Sequence, residues 1–181
     1  MKISYEMLAE KGACEDVLNW FKEEVKGEIG INDLIDKLHE IKEYDWIRWL
    51  IINFELSREY KRFHDNGQLW EHCFHKNGKL HGEYKYFYKN GQIEEHCFFK
   101  NGKLEGEFKG YHENGKLWGH CFYKDEKKEG ECKYFYYDGQ LEEHSFYKND
   151  KLHGEYKLFH DNGQLYRYWL YKNGKLKEKI K

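Results

Sequence analysis

The chain has 181 residues, 19 % of them aromatic and 35 % charged, with 31 basic side chains against 33 acidic ones. That balance excludes a global field able to hold nucleic acid or an anionic membrane by charge alone. So many charges and rings exclude a thick apolar core and favour a thin sheet held by aromatic contacts. No apolar run is long enough to span a bilayer, and Met1–Glu10 carries no secretory pattern, so the expected location is cytoplasmic. The cysteines number five and fall at Cys14, Cys73, Cys97, Cys121 and Cys132. Three of them share one repeat column with Ser145 and Trp169, so that column is not a disulfide framework.

The first 57 residues read as a helical domain. Ser4 is placed as the cap of a short helix through Ala9, with Gly12 ending it. Glu15–Lys26 sets Val17, Leu18, Phe21 and Val25 on one face, and Gly27 follows as a stop. Asn32 is expected to cap Asp33–Ile41, where Leu34, Ile35, Leu38 and Ile41 recur at helical spacing. Asp45 then opens Trp46–Phe54, apolar almost all round and therefore expected to be buried on several sides.

From Glu59 to Glu178 a 24-residue unit recurs five times without a gap. Stacked on that period, Glu59, Glu83, Glu107, Glu131 and Glu155 form one column, and Lys61, Lys85, Lys109, Lys133 and Lys157 another. Leu69, Ile93, Leu117, Leu141 and Leu165 form a third, and Phe63, Phe87, Tyr111, Phe135 and Phe159 a fourth. A fixed period of this kind marks an array in which each unit packs on its neighbours. Asn-Gly, or Asp138-Gly139, punctuates the units at alternating intervals of 11 and 13 residues. Read as two-residue type I′ turns, these dipeptides give two strands per unit and a meander of about ten strands. In that register Tyr88 pairs with Ile93, Phe87 with Glu94, Tyr86 with Glu95, Lys85 with His96 and Tyr84 with Cys97. Across the next turn Phe99 pairs with Leu104 and Cys97 with Gly106. Asp125-Glu126 and Asn149-Asp150 lack the glycine, and Lys128 replaces a column leucine, so irregularity is expected near residues 125–130.

The unit Gly82-Glu-Tyr-Lys-Tyr-Phe-Tyr-Lys-Asn-Gly-Gln-Ile-Glu-Glu-His-Cys-Phe-Phe-Lys-Asn-Gly-Lys-Leu-Glu105 resembles MORN-type repeats, most of all a bacterial, antitoxin-like variant. The shared marks are Gly-Glu at 82–83, 106–107, 130–131 and 154–155, the aromatic pair after the Lys column, and the paired turns. The resemblance implies a binding or scaffolding sheet and brings no catalytic residues. Gly12-Ala-Cys-Glu-Asp-Val-Leu-Asn-Trp-Phe21 is similar to short helical N-termini in proteins of phages and mobile elements.

The pattern most suggestive of chemistry is His-Cys, at His72-Cys73, His96-Cys97 and His120-Cys121. Neighbours on a strand point to opposite faces, so such a pair makes neither a thiolate–imidazole couple nor a chelate. Members of one column stand two strands apart, roughly 10 Å, too far to share a zinc ion. Cys121 and Cys132 are placed as diagonal neighbours on adjacent strands. Neither a phosphate loop nor a catalytic constellation is read from the sequence, so an enzyme, a metal and a cofactor are not expected.

The expected fold is α+β, a helical cap over residues 1–57 followed by a single-layer antiparallel meander of MORN-like hairpins over 58–181. The expected function is protein binding, as an inhibitor or antitoxin-like protein occluding a bacterial toxin or a phage-defence nuclease, in the manner of an anti-CRISPR. The alternatives are a single-stranded nucleic-acid-binding module, in which interleaved aromatics stack bases, and a passive scaffold. Trp70, Tyr86, Trp118, Tyr134, Trp169, His96 and His120 are the candidate contact residues, because aromatic side chains dominate interface energetics.

Overall fold

In the computed structural model, which describes residues 1–181, the chain separates into two units, Met1–Ser57 and Arg58–Lys181. The first unit runs β1 (Lys2–Ile3), α1 (Tyr5–Glu10), α2 (Glu15–Glu24), β2 (Ile29–Gly30), α3 (Ile31–Glu40) and α4 (Tyr44–Asn53). Ser4 caps α1 as expected, its Oγ accepting from Met7 N–H at 3.4 Å. The β1–β2 ribbon pairs Ile3 with Ile29 and is too short to show any alternation in sequence. It corrects the start of α3. Gly30 passes from the ribbon directly into the cap position, and Ile31 N–H donates to Met1 O at 3.0 Å, so the helix begins before Asn32. Asp33 folds back over Gly30, where a Cβ would meet its Oδ2 at 2.6 Å.

Ile3, Leu8, Phe21, Leu34, Ile35, Leu38, Ile47, Leu50 and Ile51 form the core of this unit, none more than 2 % exposed. The expectation for α4 needs correcting: Ile47, Leu50 and Ile51 make one inward stripe at helical spacing, while Ile52 is 49 % exposed. The helix also starts at Tyr44, with Glu43 in the cap position.

The second unit is one open antiparallel sheet of 11 strands in sequence order. They are β3 (Arg58–Phe63), β4 (Leu69–Lys76), β5 (Lys79–Phe87), β6 (Ile93–Lys100), β7 (Lys103–Tyr111) and β8 (Leu117–Lys124). β9 (Lys127–Phe135), β10 (Leu141–Lys148), β11 (Lys151–Phe159), β12 (Leu165–Lys172) and β13 (Lys175–Lys179) follow. The α+β class and the meander of hairpin repeats therefore stand as read.

The turns are of two kinds. At 77–78, 101–102, 125–126, 149–150 and 173–174 both central residues have positive φ, from 49° at Asn149 to 83° at Gly102, the type I′ geometry. At the other five only the glycine does. Gly67 has φ 83°, its N–H donates to His64 O at 2.9 Å, and His64 N–H donates to Gln68 O at 2.8 Å. That is a type I turn followed by a glycine bulge, and it corrects the uniform type I′ reading.

The longer loop shifts the register locally. Phe87 pairs with Ile93, replacing the expected Tyr88–Ile93 and Phe87–Glu94 pairs, while Tyr86–Glu95, Lys85–His96 and Tyr84–Cys97 hold. A second shift falls at the Gly-Glu step. Phe99–Leu104 holds, but Cys97 meets Phe108 in place of Gly106. Gly106 sits at φ 91°, a conformation side chains resist, and β7 takes up its extra residues there.

The expected disorder of pairing near 125–130 is absent. Asp125 (φ 50°) and Glu126 (φ 69°) adopt the geometry of an Asn-Gly turn. The neighbouring repeat holds them: Glu126 N–H donates to Leu104 O at 2.9 Å and Asp125 N–H to Glu105 Oε2 at 2.8 Å. Gly102 N–H makes the same bond to Leu80 O at 2.8 Å, and Gly174 N–H to Leu152 O at 2.8 Å.

Candidate functional site

An open sheet presents two faces, and alternation along each strand sorts the columns between them. On one face each Glu of the Glu-Lys step meets the Lys two residues on and a His across the strand pair. Glu83 lies 2.9 Å from Lys85 Nζ and 2.9 Å from His96 Nε2. Glu107 lies 2.9 Å from Lys109 and 2.8 Å from His120. Glu59 with His72 and Glu131 with His144 repeat the arrangement at 2.7 and 2.8 Å. In the last repeat Tyr168 replaces the histidine and donates to Glu155. The lysines lead the causes that hold these five carboxyls below the ordinary range, with the His or Tyr partner contributing. Phe74, Phe98 and Phe122 stand exposed on this face, the last two tilted against His96 and His120.

The opposite face is aromatic. Trp70 packs on Tyr86 at 5.6 Å between ring centroids, and Tyr86 stacks on Tyr84 at 6.5 Å. Trp118 lies against Phe108 at 5.8 Å and stacks on Tyr134 at 6.5 Å. Trp169 tilts against Tyr156 at 6.4 Å. Trp70, Trp118 and Tyr166 occupy one column, and Glu94 and Glu142 fill its alternate places. The residue six positions earlier alternates in step. His64 stacks on Trp70 at 5.3 Å and His160 tilts against Tyr166 at 4.4 Å, whereas His112 tilts against Tyr137 at 5.0 Å. In the acidic repeats Tyr88 and Tyr136 donate to Tyr111 O and Phe159 O at 2.7 and 2.8 Å, the reach that His64 Nε2 also makes to Phe87 O at 2.9 Å. The surface thus repeats every second unit, with aromatic and acidic rows in alternation.

The structure divides the seven candidate residues. Trp70, Tyr86, Trp118, Tyr134 and Trp169 share the aromatic face, whereas His96 and His120 belong to the charged ladder behind it. His72 and Cys73 do diverge: His72 bonds Glu59, while Cys73 lies between Glu71 and His75. That last trio went unseen because its members are two residues apart, the spacing that returns a side chain to the same face. Cys73 Sγ is 3.9 Å from His75 Nδ1 and 4.0 Å from Glu71 Oε1, and none of the three is more than 3 % exposed. A thiol so enclosed is a packed polar contact, closed to a substrate.

Cys121 and Cys132 are also corrected. They face each other directly across β8 and β9, Cα atoms 4.2 Å apart, and form a disulfide. The bond joins residues of two different columns. Cys97, buried beside Glu95, has its thiol pushed up to about 12, by burial first and then by that carboxylate. Two arginines also went unremarked in the sequence. Arg62 lies 4.1 Å over the Trp70 ring and Arg167 4.2 Å over Trp169.

No helix is long and apolar enough to cross a membrane. The pattern of the family described as MORN repeat variant matches five stretches, residues 59–77, 80–101, 104–125, 128–149 and 152–173. No curated protein matches the chain. Among solved structures it is similar, at 13 % identity and a TM-score of 0.34, to a mutant of S. aureus TarM in complex with fondaparinux, α-GlcNAc-glycerol and UDP, over 82 % of this chain and 30 % of that one. A second TarM structure gives 13 % identity and a TM-score of 0.32, over 80 % and 30 %. The chain spans less than a third of those proteins.

Proposed function

The chain belongs to the MORN repeat variant family, and on that premise we propose that it is a non-enzymatic binding protein whose aromatic sheet face docks on another protein. The observation that supports this most is the row of half-exposed indole and phenol rings on one face of the open sheet: Trp70, Tyr86, Trp118, Tyr134 and Trp169. Such rings offer large contact area at small entropic cost and recur as interface hot spots. The finer proposal is an inhibitor, antitoxin-like or carried by a mobile element, that occludes a toxin or a defence nuclease. It draws on the antitoxin-like resemblance of the repeats and the phage-like resemblance of the first helices. A cytoplasmic setting is part of it, and the Cys121–Cys132 disulfide is the feature that opposes that setting.

Single-stranded nucleic acid is the second reading, favoured by the rings alone. Charge weighs against it. Glu94 and Glu142 interrupt the aromatic row, and the lysines of the other face are bound to glutamates at 2.6 to 3.0 Å. Capture of a partner from host extract tests the choice. We expect one stoichiometric protein, retained when salt is raised and lost with Trp70→Ala/Trp118→Ala while circular dichroism shows the sheet still folded. The captured toxin or nuclease should lose activity on mixing. Direct binding of a labelled single-stranded oligonucleotide to the full chain, weakening steeply with salt, would sink the protein-docking reading.

A further inference from the structure

The strand position of Glu71 is held in later repeats by Glu95, Gly119, Glu143 and Arg167, and the facing position runs Arg62, Tyr86, Gly110, Tyr134 and Leu158. In the first repeat these two places hold an acid and a base. Arg62 is the cross-strand partner of Glu71, its guanidinium lies 4.1 Å over the Trp70 ring, and Glu71 is 3 % exposed. The last repeat sets Arg167 4.2 Å over Trp169. The face therefore seats a guanidinium against an indole twice, using its own chain.

In the second repeat the acid is kept and the base is missing. Glu95 has Tyr86 on one side and Gly110 on the other. Trp118 lies over Gly110 so closely that no Cβ fits there. Glu95 takes neither a hydrogen bond nor an ion pair from the chain, and burial, followed by adjacent Glu94, holds its carboxyl above the ordinary range. A half-buried carboxylate without a cation is a standing cost to the fold. The fourth repeat keeps the acid but gives it hydroxyl partners, and Lys128 Nζ donates to the facing Tyr134 Oη at 2.6 Å. Glu143 lies between Tyr134 and Leu158, accepts from Ser145 Oγ at 2.7 Å and Tyr156 Oη at 3.4 Å, and has Glu142 beside it.

Resting on the protein-docking reading above, we propose that the partner presents an arginine-rich segment whose guanidinium groups enter the acidic places at Glu94–Glu95 and Glu142–Glu143, between the aromatic rows. Charge complementarity selects a cation, and the surrounding rings select arginine over lysine. A planar guanidinium can stack on Tyr86 or Trp118 while its edge meets a carboxylate; Arg62, the cross-strand partner of Glu71, already stacks on Trp70 in this way. The two acidic places lie four strands apart, about 19 Å at roughly 4.8 Å per strand. An extended segment crossing the strands covers that distance in about six residues at roughly 3.3 Å each. A phosphate-bearing ligand meets repulsion at the same two places.

The test is fluorescence anisotropy of a labelled nona-arginine peptide on the full chain, with nona-lysine as the comparison. The arginine peptide should bind about tenfold more tightly than the lysine peptide. Glu94→Gln/Glu95→Gln should weaken it by about tenfold, without lowering the melting temperature. Glu83→Gln/Glu107→Gln, which removes the same charge from the opposite face, should leave it unchanged. Equal affinity for the two peptides, or equal losses from the two double variants, overturns the inference. Partner capture that needs Trp70 and Trp118 but ignores Glu94→Gln/Glu95→Gln overturns the arginine assignment and leaves the docking reading standing. Capture indifferent to both pairs overturns both.

Discussion

Glu83 and Glu95 are 12 residues apart in one repeat sequence and have opposite electrostatic fates. Glu83 is exposed beside Lys85 and His96, and the lysine hydrogen bond is the main cause of its lowered carboxyl. A depressed folded value contributes stability that is present above the unfolded pKa and lost as pH falls below the ordinary carboxylate range. Glu95 is raised by burial and then by Glu94, so its contribution has the reverse sign: present in acid, lost as pH rises through its own titration. Glu95→Gln should therefore raise the melting temperature at pH 7, and the gain should vanish by about pH 4. Calorimetry at both pH values decides it, and a lower melting temperature at pH 7 would mean that the chain supplies Glu95 with a cation after all. The glutamate column of Glu83 was legible in sequence because each member has a lysine two residues on. The burial of Glu95 was not, since it depends on Tyr86 and on the Trp118 ring standing over Gly110, residues from three strands.

Two turn families share one dipeptide. In the type I loops the Asn side chain works in both directions: Asn66 Oδ1 accepts from Gln68 N–H at 3.0 Å, and its Nδ2 donates to Lys89 O in the next repeat at 2.9 Å. Asn90 and Asn114 repeat the second bond, to Glu113 O at 3.1 Å and Tyr137 O at 3.0 Å. In the type I′ turns the Asn itself takes positive φ, and a backbone bond to the preceding repeat does the stitching. Turn positions were thus readable from Asn-Gly, whereas turn type depended on which neighbouring repeat the loop reached. Because an external bond holds Glu126 at φ 69°, its side chain bears a left-handed strain of about 1 kcal/mol that glycine would relieve. Glu126→Gly should accordingly stabilise the sheet by about 1 kcal/mol in urea unfolding. A loss of stability would show that the Glu126 side chain contributes more than its backbone costs.

Across the sheet each repeat is bound to the next by ladder pairing and by stitches at the margins, so stability is shared along the array. The Asp138 loop lacks the amide donor that Asn66, Asn90 and Asn114 supply. The Cys121–Cys132 disulfide adds a covalent tie between neighbouring strands. Thiol titration of the denatured, unreduced protein should find three thiols, with Cys14, Cys73 and Cys97 reacting. Reduction or Cys132→Ser should cost about 3 kcal/mol for a loop of this length. Five titrating thiols and an unfolding midpoint indifferent to reductant would remove the tie. The period of the sequence by itself determined that the chain carries an array, that its strands turn where Asn-Gly or its equivalent falls, and that glutamate, lysine and histidine line one face. These follow from local rules: a turn needs particular residues, and alternation fixes which side a residue takes. Only the tertiary structure decided the exact register, the meeting of Cys121 with Cys132, and which of the alternating rings and carboxylates find a partner. Each of those depends on bulges that shift one strand against the next, and a bulge is settled by the hydrogen bonds of a neighbouring repeat at a distance of 20 or more residues along the chain.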